Sequence, residues 1–235
     1  MNRQITEVVK NLLIINGLFF LATMVYGDFM YEKFSLYTPT SPNFMPHQLI
    51  THMFMHGGMW HILGNMFALF MFGSTLEMRM GPKRFLIYYM ITGLGAAALH
   101  LAVKYFQIYQ LYDVISSDNV QMVLNEGHQI LKEGKNYTDS HLGQLNALLN
   151  SPTVGASGAV FGILLAFGML FPEHTIYLYL AIPVKAKYFV LFYGLAELFL
   201  GLRNNPGDNV AHFAHLGGML FGFFLIRNWR SKHLL

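Results

Sequence analysis

The chain has 235 residues, of which 54% are hydrophobic and only 11% charged, and its mean hydropathy is +0.40. A soluble domain carries about 25% charged residues, so most of this chain's exterior must face something apolar, and the bilayer is the obvious candidate. The absence of cysteine excludes disulfide frameworks and thiolate metal sites. The net charge of +3 is small, and no basic run marks a nucleic-acid surface. The length suits one domain, residues 1–235.

The first apolar stretch, Asn11–Phe29, is flanked by Lys10 and Asp28, and no small-x-small cleavage site follows it. It reads as a retained helix rather than a signal peptide. Tyr31–Pro46, with three prolines, reads as a loop at the interface. Apolar residues run again from Leu49 to Leu76, then from Phe85 to Val103. Phe106–Pro152 holds five of the 12 acidic residues, the densest acidic stretch of the chain, and has no span-length apolar run. A structureless loop of about 45 residues would be unusual. The periodicity at 120–131 and 141–149 predicts a short extramembrane helical hairpin inserted within the domain. Val154–Phe171 is apolar and short for a span of about 20 residues. Tyr188–Leu202 and Val210–Ile226 complete the set, separated by a tight Asn205-Pro206-Gly207 loop.

Charge placement predicts the orientation. If the helices alternate, Arg3, Lys10, Arg79, Lys83, Arg84, Lys185, Lys187, Arg227, Arg230 and Lys232 fall on one side. The positive-inside rule makes that side cytoplasmic, with both termini there. The acidic insert then lies outside. The expected location is a bacterial inner (plasma) membrane.

Polar residues inside spans are costly and are candidates for function. Three clusters stand out: His52, His56, His61 and Asn65; Gly155-Ala156-Ser157-Gly158; and His212 with His215. Ser157 would suit close helix packing on its own. It also opens a short helix, where free backbone N–H groups could hold a developing oxyanion. Ala214, Gly218 and Gly222 recur every fourth residue, matched by Gly158 and Gly162. Such small-residue stripes bring helices close, which makes a Ser157–His215 contact plausible. An imidazole in reach can take the serine proton. His61 and Asn65, four apart, share a helix face and can donate hydrogen bonds. They suit an oxyanion site or a pair of interhelical bonds. A metal on His52 and His56 lacks a His-Glu-x-x-His pattern. Those two residues fit better as anchors of the preceding loop. Glu77 and Arg79 are expected to pair and cap a helix end. His100 has no assigned role. The sequon at Asn136 is unspecific.

These residues resemble the rhomboid intramembrane serine proteases. The resemblance rests on the run from His56 to Asn65 (HGGMWHILGN), on Glu77-Met78-Arg79, on Gly155-Ala156-Ser157-Gly158, and on Ala214-His215-Leu216-Gly217-Gly218 with Gly222. It covers nearly the whole chain except Phe106–Pro152. It implies an all-α membrane protein, a bundle of six transmembrane helices. It also implies a Ser–His dyad of Ser157 as nucleophile and His215 as base, with no acidic third member. Glu197, on another helix, and Asp208, in a loop, are expected to be dispensable. His61, Asn65 and the Ser157 N–H would form the oxyanion site. Tyr31–Pro46 departs from the family's frequent Trp-Arg pair, having no Trp. The implied reaction is peptide hydrolysis in or near transmembrane segments of membrane-protein substrates, through an acyl-enzyme. The partners are those substrates and the lipid bilayer, with no nucleic acid, metal or organic cofactor. An inactive client-binding relative, a histidine-cluster metalloprotease and a transporter are the competing readings.

Overall fold

A computed structural model of the chain describes residues 5–178, 181–203 and 211–234. Arg3, the Asn205-Pro206-Gly207 turn and Asp208 lie outside the described residues. The fold is helical apart from one small hairpin. Helix α1 (Glu7–Tyr26) ends at Gly27, whose φ of +47° favours glycine. A second helix, α2 (Asp28–Phe34), follows at once, so the expected loop is shorter than Tyr31–Pro46. A four-residue α3 (Gln48–Thr51) leads to Met59–Met80, one continuous helix made of α4 (Met59–Ala68), a wider π turn at Leu69–Gly73 and α5 (Ser74–Met80). Helix α6 (Pro82–Tyr112) starts with proline in its first turn, where no backbone donor is lost. It runs past the expected end at Val103, so Phe106–Tyr112 belongs to this helix.

Three helices, Glu7–Tyr26, Met59–Met80 and Pro82–Tyr112, are long and apolar enough to cross a membrane by length and composition. Helix α9 (Ser157–Leu170) is apolar but shorter. Helices α10 (Ala186–Arg203) and α11 (His212–Ser231) complete the bundle. Leu18, Leu21, Met24, Phe67, Phe192, Phe199 and Leu202 are exposed. In water such a surface would be unstable, whereas in lipid it needs no cover.

Between α6 and α9 lie α7 (Ser117–Lys132) and α8 (Ser140–Asn150). Ser116 and Asp139 cap their starts with side-chain oxygens. Val123, Leu145 and Leu149 bury their apolar faces against Ile108 and Leu111 of α6. The two helices meet closely at Gly127, where an added Cβ would lie 2.1 Å from Asn146 Oδ1. Residues 117–150 are thus a helical pair with its own small core. Asn136 Nδ2, the sequon nitrogen, donates to Gly143 O at 3.0 Å.

Sequence reasoning missed the strands β1 (Thr175–Leu178) and β2 (Ile182–Lys185), which pair antiparallel. Glu173 beside them meets Lys185 at 2.6 Å and also bonds Lys187. Hydrogen bonds from these ammonium groups hold its carboxyl down at about 2.

The remaining expectation about polar ends changes in detail. Glu77 does cap a helix end, but that of α1: it accepts from Thr6 Oγ1 at 2.5 Å, Val8 N at 3.0 Å and Val9 N at 2.9 Å. A carboxylate there meets the orphan donors and the positive end of the helix dipole.

The centre of the bundle is α6, α9 and α11. Gly218 of α11 lies on Gly158 of α9 so closely that a Cβ on Gly218 would sit 1.8 Å from Gly158 O. The matching stripes do not run in parallel beyond that point. A Cβ on Gly162 would strike Thr92, and one on Gly222 would strike Tyr88 Oη, both from α6. Helix α6 therefore wedges between the other two, and Tyr88 Oη donates to Gly162 O at 2.7 Å. Gly218→Ala should lower the melting temperature of the detergent-solubilised protein, since overpacking costs about 1–3 kcal/mol. An unchanged thermal melt would show that α9 and α11 can part freely.

Candidate active site

Ser157 is the first residue of α9, and the chain before it is pinned on every side. Leu36 and Thr153 exchange backbone bonds of 2.9 and 2.8 Å. Gly155 N donates to His52 O at 2.9 Å. Lys104 Nζ donates to Ser151 O at 3.2 Å. His100, left without a role by the sequence, hydrogen-bonds Thr153 Oγ1 at 2.9 Å. The Leu36 segment, the turn at His52 and helix α6 thus fix the backbone that delivers Ser157.

The loop before α4 is held without tryptophan. Buried Gln48 accepts from Tyr37 N and Met45 N and donates to Glu32 O and Asn43 O, at 3.1–3.3 Å. Thr51 Oγ1 and the His47 ring bond the carbonyls of Phe34 and Lys33 at 2.8 and 2.7 Å. His52 Nδ1 bonds Gln48 O at 2.8 Å, and His56 O accepts from Tyr31 Oη at 3.2 Å. The His52 bond is local and the His56 bond is through its backbone carbonyl, while both His56 ring nitrogens are buried without a hydrogen-bond partner among the described residues. The anchoring expected of these two rings is therefore not seen.

The structure brings Ser157 and His215 together. Ser157 Oγ lies 2.9 Å from His215 Nε2. Phe161, one turn into α9, stacks on the His215 ring with centroids 4.0 Å apart and planes 6° from parallel. The acid expected to stay away is there as well. Glu197 Oε2 lies 2.9 Å from His215 Nδ1 and 2.6 Å from His212 Nδ1. This corrects the expectation that no acidic side chain reaches the pair. Glu197 is indeed on another helix, but α10 packs beside α11 and aims it inward. A glutamate standing alone in the apolar run Tyr188–Leu202 was the available sequence signal.

His61 borders the same space. Gly57 N donates to its Nδ1 at 3.3 Å, so in the neutral ring the hydrogen sits on Nε2. A Cβ on Gly155 would lie 2.9 Å from that Nε2 and 3.5 Å from Ser157 Oγ. The gap that glycine leaves is therefore flanked by a ring donor and a hydroxyl. Asn65 is buried, and one of its amide hydrogens goes to His61 O at 3.0 Å. His61 is thus beside Ser157, while Asn65 is seen bonded to its own helix.

Among the described residues, Glu197, His212 and His215 are the group whose ligand atoms could converge on a metal ion, lying within 4.8 Å of one another. They instead satisfy one another by hydrogen bonds. The His52–His56 pair forms no such group among the described residues.

A helical membrane protein with a serine–histidine pair sunk between its central helices is the class these features define. The rhomboid domain profile matches residues 43–229. The chain is 30% identical to RHOMBOID-like protein 12, mitochondrial, of Arabidopsis thaliana, over 90% of this chain and 55% of that one. It is 27% identical to Rhomboid-like protein 16, chloroplastic, of the same plant, over 91% of this chain and 59% of that one. The chain belongs to the rhomboid family. It spans about half the length of these curated relatives. Their names place them in organelles, so the expected bacterial plasma membrane finds no support in them.

The gap at Gly155 yields a test. Its φ of +132° is one that other residues rarely adopt, and a side chain would fill the space between His61 and Ser157. Gly155→Ala should slow labelling of Ser157 by a small serine-directed fluorophosphonate at least tenfold, roughly the loss expected for a misplaced reacting group. Labelling at the parent rate would show that this gap plays no part in the serine's reactivity.

Proposed function

We propose that this chain is an intramembrane serine endopeptidase that cleaves other membrane proteins in or near their transmembrane segments. The observation that carries the reading is the 2.9 Å contact between Ser157 Oγ and His215 Nε2. His215 takes the hydroxyl proton as Oγ attacks the scissile carbonyl carbon. The carbonyl oxygen becomes an oxyanion, which the Ser157 N–H at the start of α9, His61 Nε2–H and the second amide hydrogen of Asn65 would stabilise. Collapse releases the amine, which takes its proton from His215 and leaves an acyl-enzyme on Ser157. Water, activated by the same imidazole, then frees the acid.

Substrate helices that unwind easily are favoured, because backbone locked in helical hydrogen bonds cannot be attacked. The basic loops point to cytoplasmic termini and an opposite-side position for α7 and α8. There the helical pair controls substrate access. It touches the loop before α4 through Asn43 Nδ2, which donates to Asn150 Oδ1 at 3.4 Å, and helix α2 through Lys132, 2.7 Å from Glu32. The exposed ion pair adds little by itself.

With a model transmembrane substrate, Ser157→Ala and His215→Ala should each abolish cleavage without unfolding the protein, because nucleophile and base act as a unit. Asn65→Ala should lower turnover about 10²–10³-fold while substrate binding is kept. Cleavage well above background by Ser157→Ala would end the protease reading, and weaker binding with unchanged turnover would remove Asn65 from the oxyanion site. Replacing residues 114–149 with a short Gly/Ser linker should preserve fluorophosphonate labelling of Ser157 while altering cleavage of the full substrate. A stable but unreactive shortened protein would show that the helical pair shapes the site itself.

A further inference from the structure

We propose that Glu197 is a positioning residue for the base: its carboxylate holds His215 in the Nδ1–H tautomer, so that Nε2 stands bare toward Ser157. The inference rests on the protease reading above. His215 has two ring nitrogens, and a neutral imidazole carries one hydrogen. An ionised carboxylate can only accept, so its 2.9 Å contact with Nδ1 places the hydrogen there. Nε2 is then the lone-pair nitrogen, 2.9 Å from the hydroxyl it must deprotonate. Phe161 fixes the plane of the ring, and Glu197 fixes its rotation within that plane.

The carboxylate is itself held. Its Oε2 takes a second hydrogen bond from His212 Nδ1 at 2.6 Å, three residues before His215 on the same helix. Both histidines and Glu197 are buried. A carboxylate in such a place is strongly disfavoured unless donors surround it, and the two imidazole N–H groups meet that need. The arrangement also has an electrostatic consequence. When His215 accepts the serine proton it becomes a cation beside Glu197. Among the described residues, the titratable groups around it are Glu197 from α10, His212 from its own helix, His61 from α4 and His100 from α6. Glu197 is the only acid in that set, and so the only one that favours the imidazolium.

A purely structural role, tying α10 to the start of α11, would need the same hydrogen bonds but would not move a titration. The test is Glu197→Gln in the full chain, with the model transmembrane substrate and a thermal melt beside it. The amide keeps the shape but can donate to Nδ1 as well as accept from it, so it no longer dictates the tautomer, and it carries no charge. Turnover should fall roughly 10²-fold or more, as expected when the base loses its tautomer and its counter-charge, with KM little changed. The acid limb of the kcat profile should move to lower pH, because the imidazolium loses its negative neighbour and deprotonates earlier. Parent turnover with an unmoved limb overturns the proposal, and so does a loss of turnover with the limb unmoved. Should Glu197→Gln fail to fold or be too slow to profile, the unsubstituted protein decides. With ¹⁵N-labelled histidine, assigned against His215→Asn, the His215 signals should show hydrogen on Nδ1, and hydrogen on Nε2 overturns the inference. Loss of cleavage in Ser157→Ala alongside parent behaviour in Glu197→Gln would remove only this inference. Cleavage surviving Ser157→Ala would remove the protease reading beneath it.

Discussion

Where α9 and α11 cross, the two backbones touch. Gly218 has no room for even a methyl group against the carbonyl of Gly158. Ser157 precedes that contact by one residue on α9, and His215 precedes it by three on α11. Any spacer between the helices would therefore separate a hydroxyl and an imidazole that now lie 2.9 Å apart. Helix α6 depends on the same crossing. Its Ala96 lies against both Gly158 and Gly217, and Thr92 and Tyr88 fill the places that Gly162 and Gly222 leave open. In lipid there is no hydrophobic drive between helices, so close packing of this kind is what holds such a bundle together.

The second constraint is that buried polar groups must find protein partners where water is scarce. Gln48 uses both its carbonyl and its amide on four backbone groups. Glu77 meets three donors at the start of α1 and so ties α1 to α5. Glu197 meets two ring nitrogens. In each case one polar side chain joins elements distant in sequence. Those links fix the relative placement that apolar contacts, being non-directional, leave loose.

Much of this was legible in residue types and spacing, and the gaps have physical reasons. Apolar runs marked the long helices because length and hydropathy are one-dimensional signals. The small residues around Ser157 and His215 implied a close crossing, and Gly158 with Gly218 makes it. Which helix faces Gly162 and Gly222 was not legible, because a small residue says that something approaches but not what. Glu197 was misjudged for a related reason. Its distance from His215 in sequence says nothing about a contact between α10 and α11, and an acid inside an apolar run is only a prompt to look for its partner. Gln48 gave no signal at all, since a glutamine just after a proline-rich loop is ordinarily solvated. The hairpin at Thr175–Lys185 was hidden by its shortness, each strand being four residues long.

The shortness of α9 ties these points together. Fourteen residues make a helix of about 21 Å, against a hydrocarbon core of about 30 Å. If its far end reaches one membrane face, its start must lie well inside the other. The extended chain before it, Ser151–Ala156, would then sit at a depth where bare backbone is not tolerated unless protein surrounds it. The bonds it makes answer that requirement. Thr153 pairs with Leu36, Gly155 N with His52 O, and Ser151 O with Lys104. The loop before α4 therefore has two tasks at once: it satisfies the backbone that leads to Ser157, and it closes the space above the serine. A half-buried serine that carried out the proposed hydrolysis would need water, so this cover would have to admit water while excluding lipid. His52, His100 and Thr153 add polar groups to a narrow, otherwise largely apolar cleft beside Ser157, and a water entering it would need such groups as partners.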